Sequence, residues 1–253
     1  MSYHRVWQEP MFNFHIDAHM HFDLYKNRDT VLNFIEENKS FTFAMTNLPE
    51  LYVKYIKQFR RYKFVKLALG FHPELVFEYS DQIELFLELT PTTRYIGEIG
   101  LDFSYSNKEN QKKQIEVFSQ IIEKCSHEKN KVLSIHSRCA SKEVINIMKY
   151  FEGKAILHWY TGNNTELNCA VERGYYFSIN NQMLKSKSGR DIISKIPLNK
   201  ILLESDAPFT KGMKEKYNLY FNNELFLFFA KLYNLDEELI KKRIKANFIK
   251  LIN

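Results

Sequence analysis

The sequence predicts an α/β fold, a (β/α)8 TIM-like barrel, on three observations. Eight short apolar runs rich in β-branched and aromatic residues recur along the 253 residues. Longer amphipathic stretches separate them, with no Gly/Ser-rich linker between. The polar residues that interrupt the runs fall at their C-terminal ends, where barrel enzymes build their sites. Periodicity cannot show closure, so a doubly wound open sheet stays the alternative.

In chain order, the first run, "FNFHIDAH", continues into Met20 and His21 and sets Asp17, His19 and His21 two apart. A strand points residues i, i+2 and i+4 to one face, so two imidazoles and a carboxylate converge. "FTFAM" is the second strand, and "FVKLALGF" the third, followed by His72. "RYIGEI" is the fourth and carries Glu98. "KENQKKQIEVFSQIIEKCSHEKN" repeats Ile115, Phe118, Ile122 and Cys125 at helical spacing. "KVLSIHS" brings His136 and "KAILHWY" brings His158. "GYYFSI" is the seventh strand, and "KILLESD" the eighth, ending on Asp206. The C-terminal stretch from Asn222 reads as two helices, with Asp236 the N-cap of the second.

With 45% hydrophobic residues, the chain holds enough apolar material for one large core. It has 36 Lys+Arg against 30 Asp+Glu, a formal charge of +6 and a pI near 9.0. That mild excess suits an anionic partner such as nucleic acid and equally an ordinary solvated surface. Cys125, Cys139 and Cys169 form no C-x-x-C pair and read as reduced thiols, neither a disulfide framework nor a zinc knuckle. "MSYHRVWQEP" has no apolar core of a signal peptide, and "LFLFFAKLY" is too short for a bilayer span. These features predict a cytoplasmic chain with no membrane partner.

A lone H-x-H is weak evidence of metal binding. The set His19, His21, Glu98, His136, His158 and Asp206, drawn from the ends of five strands, is much stronger. Imidazoles with carboxylates suit Zn, Mn, Co or Fe, and carboxylate-rich sites also accept Mg. Six ligands exceed what one catalytic ion needs, since such a site keeps a position open, so two divalent metal ions sharing a carboxylate fit the count.

"DAHMH", "GFHP", "GEIGLDF", "SIHSRCA", "LHWYTG" and "LLESDAPF" occur in the order and spacing of the TatD-like metal-dependent deoxyribonucleases. The resemblance runs from about residue 12 to the end, which leaves residues 1–11 as an N-terminal extension before a single domain, 12–253. It implies an amidohydrolase-type β/α barrel and a metal-dependent hydrolase. His19 and His21 resemble ligands of the first metal, Glu98 the carboxylate bridging both, and His136 and His158 ligands of the second. Asp206 resembles the carboxylate that binds the first metal and orients the attacking water, which makes it the expected general base. His72 resembles a phosphate-facing residue, and Glu204 a support behind the ligands. Asp17 is expected to hold the metal-bound imidazoles by accepting from them. Arg138 has the planar fork that suits phosphate. Phe103, Tyr105, Tyr160 and Phe209 lie beside the motifs and are candidates to stack on bases.

The chain departs from the family pattern at two places. Leu225 replaces a proline after Asn223 and Glu224, and Asn180 or Asn181 replaces a glycine near the seventh strand. His15 is expected to fill the barrel, and His4 and His127 to lie at the surface. The resemblance implies a DNase trimming single strands or ends from 3′ to 5′. Two other classes stand beside it. One is hydrolysis of a small amide, lactone or phosphoester, which the amidohydrolase barrel also supports. The other is a nuclease subunit with protein partners in a larger assembly, such as an anti-phage defence complex.

Overall fold

In a computed structural model, residues 15–128 and 130–253 are described; the expected N-terminal extension and His4 lie outside them. Each of the eight apolar runs contains a strand: β1 (Ile16–Met20), β2 (Phe41–Ala44), β3 (Val65–Leu67), β4 (Tyr95–Gly100), β5 (Val132–His136), β6 (Lys154–His158), β7 (Tyr176–Ile179) and β8 (Ile201–Leu203). Between and after them lie α1 (Arg28–Glu37), α2 (Pro49–Phe59), α3 (Pro73–Val76), α4 (Ile83–Leu89), α5 (Lys108–Ser126), α6 (Ser141–Ile147), α7 (Asn164–Glu172), α8 (Asn181–Lys185), α9 (Lys187–Ile193), α10 (Asn222–Tyr233) and α11 (Glu237–Ile252).

All strand pairs are parallel, in two arcs ordered β1-β2-β3 and β4-β5-β6-β7-β8. Two seams join the arcs. At one, Leu69 N donates to Tyr95 O, Gly97 N to Leu69 O and Phe71 N to Glu98 O, at 2.8–3.0 Å. At the other, Asp206 N donates to His19 O at 2.9 Å and His21 N to Ala207 O at 2.8 Å. The sheet therefore closes, and the open-sheet alternative falls. His19, His21, Glu98 and Asp206 are themselves the stitching residues, so closing the barrel also assembles the polar cluster.

The strands are buried on both faces, which is why they read as continuous apolar runs rather than alternating ones. The helices cover them with one stripe each. On α5, Val117, Phe118, Ile121, Ile122 and Cys125 are buried, while Ile115 is only half-buried. α11 closes the N-terminal end of the barrel, with Phe248 5.4 Å from Phe43 and Asn247 donating to Leu198 O and Ile201 O. Asp236 caps it as expected by accepting from Glu238 N at 2.8 Å, a contact worth about 1 kcal/mol. Leu225, at the expected proline position, is buried in the first turn of α10, and Glu224 beside it pairs at the surface with Lys185. No helix among the described residues is long and apolar enough to cross a membrane.

Candidate metal centre

Glu98 stands at the middle of the cluster. Its Oε2 lies 3.4 Å from His19 Nε2 and 3.2 Å from His21 Nε2. Its Oε1 lies 2.5 Å from His136 Nδ1 and 2.9 Å from His158 Nε2. One carboxylate thus faces two pairs of imidazole nitrogens with separate oxygens. Asp206 Oδ1 sits 3.9 Å from His19 Nε2 and 3.7 Å from His21 Nε2. His72 Nε2 approaches Glu98 Oε2 at 3.5 Å. Close backbone contact makes this possible. A Cβ on Gly70 would meet Thr46 O at 1.6 Å and Glu98 N at 2.7 Å. Gly100 has φ +137°, and a Cβ there would stand 2.1 Å from His136 O.

The imidazoles are oriented from behind. His19 Nδ1 meets Ser134 Oγ at 2.8 Å, and His136 Nε2 meets Asp102 Oδ2 at 2.8 Å. His158 Nδ1 faces Glu204 Oε2 at 3.5 Å. Glu204 is gripped in turn by Asn180 Nδ2 at 2.9 Å, Trp159 N at 3.1 Å and the Ser178 hydroxyl. Asn180 also caps α8 by accepting from Gln182 N and Met183 N.

The expected role of Asp17 needs correction. Its carboxylate accepts from His19 N, Ser205 N, Ser205 Oγ and Tyr217 OH, and from no imidazole. It ties β1 to the segment after β8, and Ser134 does for His19 what Asp17 was expected to do. The segment after β8 is capped by Ser205 Oγ, which accepts from Ala207 N. That leaves the Asp206 carboxylate directed at the histidines. Asp206 (φ 46°) and Trp159 (φ 39°) hold left-handed backbone at the barrel mouth, costing about 1–3 kcal/mol each, as residues at functional sites often do.

Burial drives the titration of this region, and neighbouring charge decides its direction. Burial pushes His19 well below its usual value, favouring a neutral ring whose Nε2 faces Glu98 and His21. Burial also raises Asp206 to about 7 against the pull of His158 and His21. For Glu98 burial would raise the carboxyl, yet His72, His158, His19 and His136 hold it well below the carboxylate range. Burial is the largest single influence on His136 and His158 too, but Glu98 with Asp102 at His136, and Glu98 with Glu204 at His158, together outweigh it and raise both, His136 to about 9.

These donors fit divalent cations. Three groups of residues, His19–His21–Glu98, His19–His158–Glu204 and His72–Glu98–His136, each bring ligand atoms within 4.8 Å of one another. His21 Nε2 and His19 Nε2 stand 3.2 Å apart, aimed at one carboxylate oxygen, the convergence a shared cation satisfies.

A cleft of about 460 Å³ opens onto the cluster, lined by His21, His72, Glu98, Asp102, His136, Arg138, His158, Trp159, Asp206 and Phe209 among others. Two expected base-stacking rings are not available there. Tyr160 is wholly buried, donating from its hydroxyl to Asn163 O and packing edge-on against Phe177, so it cannot meet substrate. Phe103 is half-buried against the core and lies outside the cleft lining. Arg138 lines the cleft, as expected of a phosphate-facing group. His15 is half-buried just before β1, and His127 is exposed. Asp102 and Ser134 were not singled out by the sequence reading. Asp102 sits four residues after Glu98 and Ser134 two before His136, so strand periodicity was the signal that could have found them.

The family model described as TatD related DNase matches residues 16–253. The chain belongs to the TatD-related DNase family. It is 27% identical to an uncharacterized metal-dependent hydrolase of Buchnera aphidicola, across 95% of this chain and 96% of that one. It is 28% identical to the human deoxyribonuclease TATDN3, across 80% and 81% of the two chains. It is also 28% identical to the 3′-5′ ssDNA/RNA exonuclease TatD of Salmonella typhimurium, across 73% and 74%. Among solved structures, the TatD homologue YJJV of Escherichia coli superposes with a TM-score of 0.81 at 20% identity, covering 95% of this chain and 98% of that one. The chain is thus a metal-dependent hydrolase of the TatD family with a TIM-like barrel, and its clustered donors are positioned for metal.

Proposed function

We propose that this protein is a two-metal phosphodiesterase that trims single-stranded DNA from the 3′ end and works in the cytoplasm. One observation carries the reading: Glu98 divides its two oxygens between the pairs His19/His21 and His136/His158, with Asp206 beside the first pair. Charge balance supports two ions. Glu98, Asp102, Glu204 and Asp206 bring four carboxyl groups into a buried region, where negative charge is offset by protonated His136 and His158 in the metal-free chain and by cations once these displace the protons. Two divalent cations would be held by His19, His21, Glu98 and Asp206 on one side and by Glu98, His136 and His158 on the other, with the imidazoles deprotonated. Mg, Mn and Zn all suit such a mixed set.

When bound, such ions supply Lewis acidity: they lower the pKa of water toward ~7 and neutralise charge on phosphoryl oxygens. The chain's own groups do the rest. Asp206, 3.7 Å from His21 Nε2 and on the cleft lining, takes the proton of the attacking water. His72 Nδ1 accepts from Glu74 N at 3.3 Å, which puts the ring proton on Nε2, 3.5 Å from Glu98 Oε2 at the cleft lining, where an entering phosphoryl oxygen can compete for it. Arg138 presents its fork from the loop after β5. Polarity and strand preference are taken from the Salmonella relative's name, and DNA from the deoxyribonuclease names of family members. The three free cysteines accord with a reducing compartment.

Salt dependence tests the substrate class. Contact with two to four phosphates predicts that log affinity for a single strand falls with log salt by a slope of roughly 0.7 per phosphate. Affinity indifferent to salt, with turnover confined to a small ester or lactone, would move the assignment to a small-molecule hydrolase.

A further inference from the structure

We propose that Tyr105 and Phe209 are base-stacking platforms on opposite sides of the cleft, and that they make the site selective for unpaired nucleotides. This deepens the phosphodiesterase reading and rests on it. Of the four rings the sequence singled out, these two are exposed, Tyr105 at 85% and Phe209 at 62%. Scattered exposed apolar residues are ordinary, and a stacked cation alone proves little: Tyr150 carries Lys149 at 4.5 Å, far from the cleft, after α6. Phe209 lines the cleft itself, and Tyr105, outside that lining, is joined to it through Arg138, which does line it.

Tyr105 belongs to the loop after β4. Ser104, one residue earlier, donates from both N and Oγ to Asp102 Oδ1, while Asp102 Oδ2 holds His136. Phe103 N donates to Arg138 O at 3.0 Å, tying this loop to the one after β5. The Arg138 guanidinium lies 5.5 Å from the centre of the Tyr105 ring. A nucleobase can take the other face of a ring so backed, while the guanidinium serves its phosphate.

Phe209 belongs to the loop after β8, three residues past Asp206. Its N donates to Asp206 O at 2.9 Å, and its ring meets His21 edge-on at 5.3 Å. Exposed Lys211, Lys214 and Lys216 follow on the same loop, suited to a polyanion leaving the cleft. In a closed eight-stranded barrel, the β8/β1 side lies across from the β4/β5 side. The rings therefore flank the cluster, and a strand crossing it meets one ring on each side of the phosphate to be cut. A base in a duplex has both faces covered by its neighbours and cannot use either ring without unstacking.

The test compares binding of an ordinary single strand with one whose two 3′-terminal nucleotides are abasic. Terminal phosphorothioate linkages resist cutting, the protein is supplied with Mn²⁺, and fluorescence anisotropy reads Kd. The wild type should bind the intact strand more tightly by roughly 5- to 150-fold per stacked base. Tyr105→Leu and Phe209→Leu should each remove part of that difference, and the double variant nearly all of it, with melting temperatures unchanged. Equal wild-type affinity for the two strands, or Leu variants that keep the full difference, would overturn the proposal. A parallel assay on unmodified strands separates the two readings. Base-dependent binding without cleavage under any metal sinks the phosphodiesterase and keeps the platforms. Cleavage without base-dependent binding does the reverse.

Discussion

Glu98→Ala should lose both metal ions and all measurable hydrolysis while the barrel stays folded. Among the described residues, Glu98 is the carboxylate that meets both nitrogen pairs, so removing it would take a ligand from each ion at once. Its absence also leaves five imidazoles without the charge that organises them. The fold should survive, because Glu98 joins the β3/β4 seam through its carbonyl, which accepts from Phe71 N, and alanine keeps that bond. His136→Ala is the graded control: His136 meets Glu98 through Oε1 alone, beside Asp102, His158 and His72, and its loss should weaken mainly the second ion. Elemental analysis of both variants gives the answer. Glu98→Ala protein that is fully metallated and active would end the two-metal reading.

Asp206→Asn should keep metal and DNA binding, somewhat weakened, and lose ~10²–10⁴-fold in turnover. Asparagine preserves size and one oxygen donor but cannot accept a proton. The sign of the pH effect follows from the proton that must leave the attacking water. A bound divalent cation lowers the pKa of that water toward ~7, so the wild-type rate climbs with pH as the water ionises. The variant, without a base to take the proton, needs higher pH to reach a given rate. The competing view, a carboxylate that only caps the loop before Pro208, predicts a fall in stability instead. The structure gives the capping to Ser205, so melting temperature should barely move. Single-turnover rate and melting temperature on one variant separate the two.

How far the sequence reached follows from what each feature depends on. All eight strands were legible, because a barrel strand buried on both faces is a continuous apolar run. The cluster was legible because its members end those runs at a spacing that strand periodicity exposes. Three kinds of feature were not. Asp17 shares the β1 face with His19 and His21, yet its partners Ser205 and Tyr217 lie about 190–200 residues away, and only barrel closure brings them together. Tyr160 follows His158 by two residues, as a cleft residue might be spaced, but the chain turns at Trp159 and sends the ring into the core. Asn180 or Asn181 read as standing where the family has a glycine, and the role of Asn180 was not visible. Its side chain instead caps α8 and holds Glu204 behind His158, which is a third-dimensional fact.

The most direct test of the account strips the protein of metal and restores Mg²⁺, Mn²⁺ and Zn²⁺ one at a time. Each form is assayed on single- and double-stranded DNA labelled at the 5′ end. The account predicts no cleavage in the stripped protein. With at least one ion restored, activity should return near two equivalents per chain and shorten single strands stepwise from the 3′ end faster than duplex. Full activity in the stripped protein, or none on DNA under any of the three ions, would contradict it.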